Sequence, residues 1–380
     1  MLFDKIISQY DEHNEALLFL IDKFPINKII FIIDKAQESK IKEDTIKFSK
    51  IFKNIEISFQ VIEEKNIDII RSIIMKYKSA IINLTGGSRI ISLLLLEISM
   101  ELKIYSIYID FLNKRRYVFK DNCRVIESSL KDISMEEVFY LSGSDIVKES
   151  TSLCENKKII DMSRAILSNL SLWHKYKQKL YDNSVFKHNC KDIYNIDVNI
   201  NRLNSGEKEA FQKLLKYLKK INSIEEVKKE NSLSILFKDN YLKSFLFKSG
   251  TWLEVITYLS VKNIKEVDEV RCGVLFSWGI NVQNVKNEID VIAIKDSVLI
   301  CISCKDSDKY DENALNELSI YSERLGRKDS LKILVAAKKP EKITIVERAK
   351  EMNIHLVVLE DNNINYLEKK LRQIVNENIK

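Results

Sequence analysis

The chain has 380 residues, 45% hydrophobic and 31% charged, which is enough to bury cores for two or three domains. Its formal net charge is +6, from 61 basic and 55 acidic residues, and this excess permits a polyanionic partner without requiring one. No run of about 18 apolar residues indicates a membrane helix, and the N-terminal segment lacks the basic and apolar regions of a signal peptide. We therefore expect no membrane association.

The cysteines indicate the cellular compartment. Six of them are scattered along the chain, a distribution that favours a reducing cytoplasm. Cys301 and Cys304 form a CxxC pair, but on a predicted strand their side chains point to opposite faces, and no second pair accompanies them. The spacing therefore argues against a zinc or redox centre.

Residues 1–145 alternate between strand patterns and helix-length apolar patterns. Strands are predicted at 2–10, 28–34, 55–62, 79–85 and 104–110, with helices between them. This alternation predicts crossover connections and a mostly parallel, Rossmann-like α/β sheet. Open sheets of this kind bind ligands beyond the carboxyl ends of their strands.

One such strand end carries a glycine-rich turn. Thr85, Gly86, Gly87, Ser88 and Arg89 follow a strand and open a helix. Glycines let the backbone approach a ligand closely, and the free N–H groups at a helix start favour anions. The turn is neither GxGxxG nor a Walker A loop, which disfavours a dinucleotide coenzyme or NTP hydrolysis. The alternative is that the glycines serve the turn geometry alone.

The ends of two other predicted strands belong to the same edge of the sheet. They carry Ser8 and Gln9 after the first strand, and Asp34 and Lys35 after the second. We expect these four side chains to line the ligand site together with the glycine-rich turn.

Residues 146–238 differ in pattern from both flanks. They carry helical periodicity and many lysines, with a helix start near Ser205 and Glu207. We interpret this segment, called the connector below, as mainly helical. A winged-helix module that binds nucleic acid is an alternative, but a solvated lysine face explains the same residues and is favoured.

Residues 239–380 return to α/β patterning. A helix at Thr251–Val261 precedes strands at Glu266–Phe276, Asn287–Ile294 and Val298–Ser303, and further helices and strands follow. This α-β-β-β-α-β order matches the core of restriction-endonuclease-like domains. The predicted fold class is therefore α/β, with a Rossmann-like N-terminal domain, a helical connector and a restriction-endonuclease-like C-terminal domain.

The second and third of these strands carry the chemistry. Asp290 lies on one strand and Lys305 ends the next, fifteen residues later, and a turn at Lys295–Ser297 would bring them together. Phosphodiester hydrolysis needs an activated water and compensation of phosphate charge, which a carboxylate-bound cation and a lysine provide. Oxygen ligands and the lack of clustered histidines favour Mg²⁺ or Mn²⁺. A surface ion pair on an ordinary hairpin is the alternative.

One position departs from the PD-(D/E)xK pattern, because Ser303 stands two residues before Lys305 where an acid is usual. Glu254 on the preceding helix and Glu288 on the strand of Asp290 are available to supply the missing charge. Other residues are less specific. Gln283 could orient a water or a phosphate, although a loop glutamine usually does neither, and Glu317 and Tyr321 either face the site or are simply exposed. Trp252 and Trp278 are expected to be core or interface aromatics and not base-stacking platforms.

Together these motifs resemble the type III CRISPR ancillary nucleases that join a CARF sensor domain to a restriction-endonuclease-like domain. The motifs that carry the resemblance are Thr85–Ser88, Trp252–Glu254, Asn287–Val291, Ile302–Lys305 and Asn316–Leu318 followed by Leu325-Gly326. The connector contributes nothing to it.

The resemblance implies a homodimer that binds a cyclic oligoadenylate across its sensor domains and then cuts nucleic acid with a divalent metal, often Mn²⁺. A two-fold ligand such as cyclic tetra-adenylate suits two facing turns. Glu254 and Asp290 would hold the metal with the Cys304 carbonyl, Lys305 would stabilise the transition state, and Ser303 would position water or substrate. DNA is the expected substrate, with single-stranded RNA as a second one.

Two other functions stay open from the sequence. The chain would be a ligand-responsive nucleic-acid-binding regulator if its nuclease-like domain were inactive. Alternatively, the first domain would degrade its own ligand and so limit the signal.

Overall fold

A computed structural model provides the structure of the chain. It describes residues 3–11, 13–63, 66–111, 113–127, 132–188, 192–229, 232–247, 251–278, 286–327, 329–359 and 363–379. The predicted role of Gln283 lies outside these residues.

The N-terminal part forms a seven-stranded sheet with flanking helices. Its elements are β1 (Lys5–Gln9), α1 (Glu15–Lys23), β2 (Lys28–Asp34), α2 (Ile41–Ile51), β3 (Glu56–Ile62), α3 (Ile67–Lys76), β4 (Ala80–Asn83), α4 (Arg89–Glu101), β5 (Ser106–Asp110), β6 (Arg115–Phe119) and β7 (Cys123–Glu127). The strand order is β3-β2-β1-β4-β5-β6-β7, parallel through β5. The predicted Rossmann-like sheet is confirmed. The antiparallel hairpin β6–β7 was not predicted, because β7 is exposed along its whole length and shows no apolar face.

The middle of the chain adds helices and a small sheet. Its elements are α5 (Met135–Leu141), β8 (Ser144–Lys148), α6 (Thr151–Cys154), α7 (Lys157–Ser168), α8 (Leu170–Tyr176), β9 (Phe186–His188), β10 (Asn195–Val198), α9 (Ser205–Lys220), β11 (Ile224–Lys229) and β12 (Ser232–Phe237). A capping box between Asn204 and Glu207 starts α9, one residue before the predicted cap. Four strands form an antiparallel sheet, β11-β12-β10-β9, which the helical periodicity did not predict because strands of three to six residues are too short for a clear period.

The C-terminal part is built on a six-stranded sheet. Its elements are α10 (Asn240–Phe247), α11 (Thr251–Lys262), β13 (Glu269–Trp278), β14 (Asn287–Lys295), β15 (Val298–Lys305), α12 (Glu312–Gly326), β16 (Leu331–Ala336), α13 (Thr344–Glu351), β17 (Ile354–Val358) and α14 (Ile364–Asn378). The strand order is β17-β16-β15-β14-β13-β8, and the element order matches the predicted one. Strand β8 precedes the connector helices yet pairs with β13, so the boundary predicted at residue 145 falls within a strand of the C-terminal sheet.

The two faces of the C-terminal sheet belong to different hydrophobic cores. On one face Val291 and Ile302 pack with Trp252 of α11 and with connector residues such as Ile159. On the other face Ile292 and Cys301 pack in a core that continues into the N-terminal sheet. Helices of the C-terminal part thus cover both faces of the sheet, and the connector joins the core on the α11 side while the N-terminal part joins the core on the α12 side.

Within the described part of the chain, no helix has the length and apolar character needed to cross a bilayer.

Candidate active site

Strands β14 and β15 form the hairpin that carries the predicted nuclease residues. Asp296 and Ser297 at its turn both have positive φ, +51° and +65°, as a two-residue type I′ hairpin turn requires. The register pairs Val291 with Ile302, and beyond this pair the Ser303 hydroxyl donates to Asp290 Oδ2 at 3.2 Å. The turn thus brings Asp290 beside the segment that ends at Lys305.

The Asp290 carboxylate is held by the backbone of the neighbouring strand. The Cys304 amide donates to Asp290 Oδ2 at 2.6 Å. Burial raises the pKa of Asp290 above its usual value and Glu288 adds to the shift, whereas the Cys304 amide and Lys305 oppose it. The carboxylate is therefore fixed in position and strongly sensitive to a nearby positive charge.

A cavity of about 320 Å³ opens over this pair of strands. Asp290, Ser303 and Lys305 line it together, as the sequence predicted for one site. The other polar residues of its wall are Lys286, Asn287, Glu288, Glu317 and Tyr321. Helix α12 covers one side, where the Tyr321 hydroxyl donates to Glu317 Oε1 at 2.8 Å. The structure thus places Glu317 and Tyr321 at the site, which the sequence left open.

Glu254 and the Cys304 thiol lie on the α11 side of β15. Cys304 Sγ is 3.5 Å from the hydroxyl of Thr257, one helical turn after Glu254. Burial raises the pKa of the Cys304 thiol well above its usual range, and the carboxylates of Asp290 and Glu254 raise it further. Both acids are therefore within electrostatic reach of Cys304, although Glu254 is not part of the cavity wall formed by the described residues.

The side chains around the cavity determine which divalent cation could bind there. Within the described ranges no three His, Cys, Asp or Glu side chains are close enough to bind one ion. The carboxylates that line the cavity are those of Asp290, Glu288 and Glu317. Such hard donors fit Mg²⁺ or Mn²⁺, which are commonly bound through one or two carboxylates and keep several waters. Zinc sites usually include histidine or cysteine ligands, and neither residue type is among the described residues that line this cavity.

The glycine-rich turn lies between β4 and α4. Gly86 and Gly87 have φ of +88° and +76°, and a Cβ on Gly87 would be 2.3 Å from Gln9 Oε1. The Thr85 hydroxyl accepts from the Ile109 amide at 2.8 Å, and Ser88 is the N-cap of α4 without a side-chain capping bond. The glycines are thus required by the turn itself, whatever it binds.

The predicted strand ends are adjacent in the sheet, because β1 lies between β2 and β4. Ser8 accepts a hydrogen bond from Asn83 at 3.0 Å, and Gln9 faces Gly87. Asp34 ends β2, and Lys35 forms an exposed ion pair with Glu63. Ser8, Gln9 and the turn therefore converge, while Lys35 lies at the outer end of β2, where the chain leaves the sheet.

Sequence reasoning missed three residues at these sites. Asp11 Oδ2 accepts from the Gly87 amide at 2.7 Å, and Asn83 bridges Ser8 and the Thr85 carbonyl. Asp306, directly after Lys305, is buried. Asp11 and Asn83 carried a signal, since polar residues at strand ends commonly line ligand sites. Asp306 carried none, because its partners are more than 50 residues away in the chain.

Comparison with known proteins supports the resemblance. Residues 240–377 match the family model of the Card1-like endonuclease domain. No curated protein sequence matches the chain. The fold is similar to the crystal structure of protein VC1899 from Vibrio cholerae, with a TM-score of 0.77 and 18% identity over 98% of each chain.

Two further solved structures share the fold. Can2 from Sulfobacillus thermosulfidooxidans, solved with cyclic tetra-adenylate, has a TM-score of 0.68 and 15% identity over 99% of this chain and 98% of its own. A type III CRISPR defence DNA nuclease activated by cyclic oligoadenylate has a TM-score of 0.59 and 13% identity, with 98% of this chain matching 52% of that one. The predicted α/β fold class and the endonuclease-like C-terminal domain are confirmed.

Proposed function

Because residues 240–377 match the family model of the Card1-like endonuclease domain, we propose that the chain is a cyclic-oligoadenylate-activated, metal-dependent endonuclease of type III CRISPR antiviral defence. One observation carries the proposal: Asp290, Ser303 and Lys305 converge in a single cavity of this domain. DNA is the proposed substrate, with single-stranded RNA as a second one.

The residues of the proposed site would each have a separate role in phosphodiester hydrolysis. A bound Mn²⁺ or Mg²⁺ would provide a nucleophilic water and polarise the phosphate. Asp290 would hold the ion, together with Glu254 and the Cys304 carbonyl. The Lys305 ammonium would stabilise the charge that develops on the phosphate, and the Ser303 hydroxyl would orient water or substrate.

The activator is proposed to bind at the carboxyl ends of β1, β2 and β4. Thr85–Arg89, with Ser8, Gln9 and Lys35, supply hydroxyls, amide groups and positive charge suited to phosphates, and Asp34 flanks them at the end of β2. Can2, which shares the fold, was solved with cyclic tetra-adenylate, and this favours the same ring for the present chain.

A homodimer is proposed from the surface beside the turn. Ile90 and Leu93 of α4 are 47% and 61% exposed, although apolar side chains of this size favour burial. A second copy packed on this face would place two turns opposite each other, where one two-fold ligand contacts both.

The test is cleavage of supercoiled plasmid and of single-stranded RNA with Mn²⁺, in the presence and absence of cyclic tetra- and hexa-adenylate. We expect cutting only with ligand and metal together. Cleavage that does not depend on the ligand, or no cleavage under any condition, would contradict the proposal. Linear products from the ligand itself would instead indicate that the N-terminal domain degrades it.

A further inference from the structure

Asp306 directly follows Lys305 and is enclosed by polar donors. Its side chain is 1% exposed. Trp252 Nε1 donates to Oδ2 at 2.7 Å and Trp173 Nε1 at 3.0 Å, while His174 Nε2 is 2.8 Å from Oδ1. Lys177 Nζ is 3.1 Å from Oδ2 and also donates to the Asp306 backbone oxygen. Both carboxylate oxygens and the carbonyl are therefore bound from several directions.

Most of these donors come from the connector. Trp173 and His174 lie on α8 and Lys177 directly follows it, whereas only Trp252 belongs to α11. The matched endonuclease domain begins at residue 240, so three of the four donor residues lie outside it. A buried carboxylate left without such partners is strongly unfavourable. The end of β15 thus depends on a segment about 130 residues earlier in the chain.

Asp306 is the second of two anchors around Lys305. On the strand side, the Ala337 amide donates to the Lys305 carbonyl at 2.9 Å. On the other side, the Asp306 carboxylate fixes the direction in which the chain leaves the strand. Asp306 does not line the cavity, so it acts through the backbone of its neighbour. Catalytic groups need to be held within about 0.5 Å of their working geometry, and a shift of about 1 Å can cost about 100-fold in rate.

We propose that Asp306 is a positioning residue for Lys305, and that the connector completes the nuclease site by holding Asp306 with Trp173, His174 and Lys177. This inference rests on the proposed nuclease function. It assigns the connector a part in the active site instead of a passive link between two domains.

The experiment compares Asp306→Asn, His174→Leu and His174→Gln in the full-length protein. Single-turnover cleavage should slow by about 10- to 100-fold in Asp306→Asn and His174→Leu, with substrate KM and cyclic tetra-adenylate affinity unchanged. His174→Gln keeps an N–H donor and should retain most of the rate. If Asp306→Asn does not fold, the two His174 variants decide alone.

Asp239→Asn is the matched control. It removes the 2.6 Å ion pair between Lys158 of α7 and Asp239, which also ties the connector to the chain that follows it but contacts neither β15 nor the cavity. The proposal expects the control to keep the wild-type rate. Equal losses in Asp239→Asn and Asp306→Asn, or unchanged rates in Asp306→Asn and His174→Leu, would overturn it.

Hydrogen exchange gives a readout that does not depend on cleavage. In His174→Leu we expect the amides of Cys304 and Lys305 to exchange at least about 10-fold faster than in wild type, with β1 and α4 unchanged. If the wild type cuts nothing, the proposed function fails, while this measurement still decides the positioning role. Unchanged exchange in β15 would contradict that role.

Discussion

At the scale of single residues, Lys305 lines the cavity together with Asp290 and Ser303. We predict that Lys305→Met slows ligand-activated cleavage by about 100- to 1000-fold, because methionine keeps the volume but cannot stabilise phosphate charge. Single-turnover kinetics with Mn²⁺ measure the effect, and calorimetry should find wild-type affinity for cyclic tetra-adenylate. A rate within threefold (about 0.7 kcal/mol) of wild type would contradict the role.

Ser303 stands where related sites usually have an acid, so one of three nearby glutamates is expected to supply the missing metal ligand. The candidates are Glu254, Glu288 and Glu317. We predict that Glu254→Gln weakens Mn²⁺ binding by at least about 10-fold, and that Ser303→Glu in the same chain restores part of it, because it returns a carboxylate to the usual position. Calorimetric Mn²⁺ titration without substrate measures both.

Glu288→Gln and Glu317→Gln are the comparison variants, since both residues line the cavity. If either of them loses Mn²⁺ affinity while Glu254→Gln keeps it, the missing charge comes from the α12 side of β15 and not from α11.

The sequence predicted the residues whose chemistry is local and missed those whose partners are distant. Asp290 and Lys305 were found because a short turn can join two alternating strands, and the structure brings both to one cavity. Asp306 was missed because the residues that hold it are distant in the chain, Trp173 by 133 positions and Trp252 by 54. A side chain whose role depends on such a contact has no local signature.

At the scale of an element, the Thr85–Arg89 turn combines strained backbone with close contact to β1. We predict that Gly87→Ala weakens cyclic tetra-adenylate binding by at least about 10-fold, because its φ of +76° is unfavourable for alanine and the new methyl would displace the Gln9 side chain. The measurement is calorimetry, alongside thermal unfolding.

Gly143→Ala is the matched control, since Gly143 also has a φ of +76° and its Cβ would meet only the end of Lys47 at 3.3 Å. Both variants should lose about 1 kcal/mol of unfolding free energy. Equal ligand affinity in the two variants would show that the Gly87 effect is one of stability alone.

Long, strongly patterned elements were predictable, and short ones were not. The C-terminal strands and helices were found in their correct order. The sheet of β9–β12 was not, because short strands between lysine-rich helices are fixed by packing more than by their own pattern. The same reason hid β8, whose five residues pair with β13 across more than 120 positions of sequence.

At the scale of the molecule, ionic and cation–π contacts join the N-terminal part to the C-terminal part. Glu15 at the start of α1 is 4% exposed, and its carboxylate lies 3.9 Å from Arg327 Nε just beyond α12. The Arg327 guanidinium lies 3.9 Å from the centre of the Phe111 ring. Lys114 forms a 2.7 Å ion pair with Asp296 in the turn of the nuclease hairpin. Helix α1 begins close to the glycine-rich turn, because the His13 carbonyl would be 3.2 Å from a Cβ on Gly86.

These contacts predict a coupling between the proposed ligand site and the proposed nuclease site. A substitution at one of the contacts should weaken this coupling without changing a residue of either site. In Arg327→Met, the ratio of cleavage rates with and without cyclic tetra-adenylate should fall by about 10-fold, because a buried contact between the two parts is lost. Arg348→Met is the control, since Arg348 pairs with Glu351 on the surface of α13. An unchanged ratio in Arg327→Met would exclude this contact from the coupling.

Glu15 also predicts a pH dependence of stability. Burial alone would raise its pKa, but Arg327 and His13 outweigh burial and lower the pKa below the ordinary value of 4.5. A carboxylate whose pKa is lower in the folded state than in the unfolded state stabilises the fold at pH values above the unfolded-state pKa. This stabilisation is lost as the pH falls through the folded-state pKa. The unfolding free energy of wild type should therefore exceed that of Glu15→Gln most above pH 4.5, and the gap should shrink on acidification. A gap that widens would reverse the sign of the shift.

The hydrophobic core shared by the N-terminal sheet and the C-terminal sheet determines how the protein responds to a cut in the chain. Phe139 packs edge-on against Phe276 at 5.5 Å within a cluster that also contains Ile6 and Leu299. A cut in the chain between the two parts would not by itself separate them, because this shared core and the 2.7 Å ion pair between Lys114 and Asp296 would still hold them together. We therefore expect a nicked chain to stay associated until conditions are reached that unfold the core.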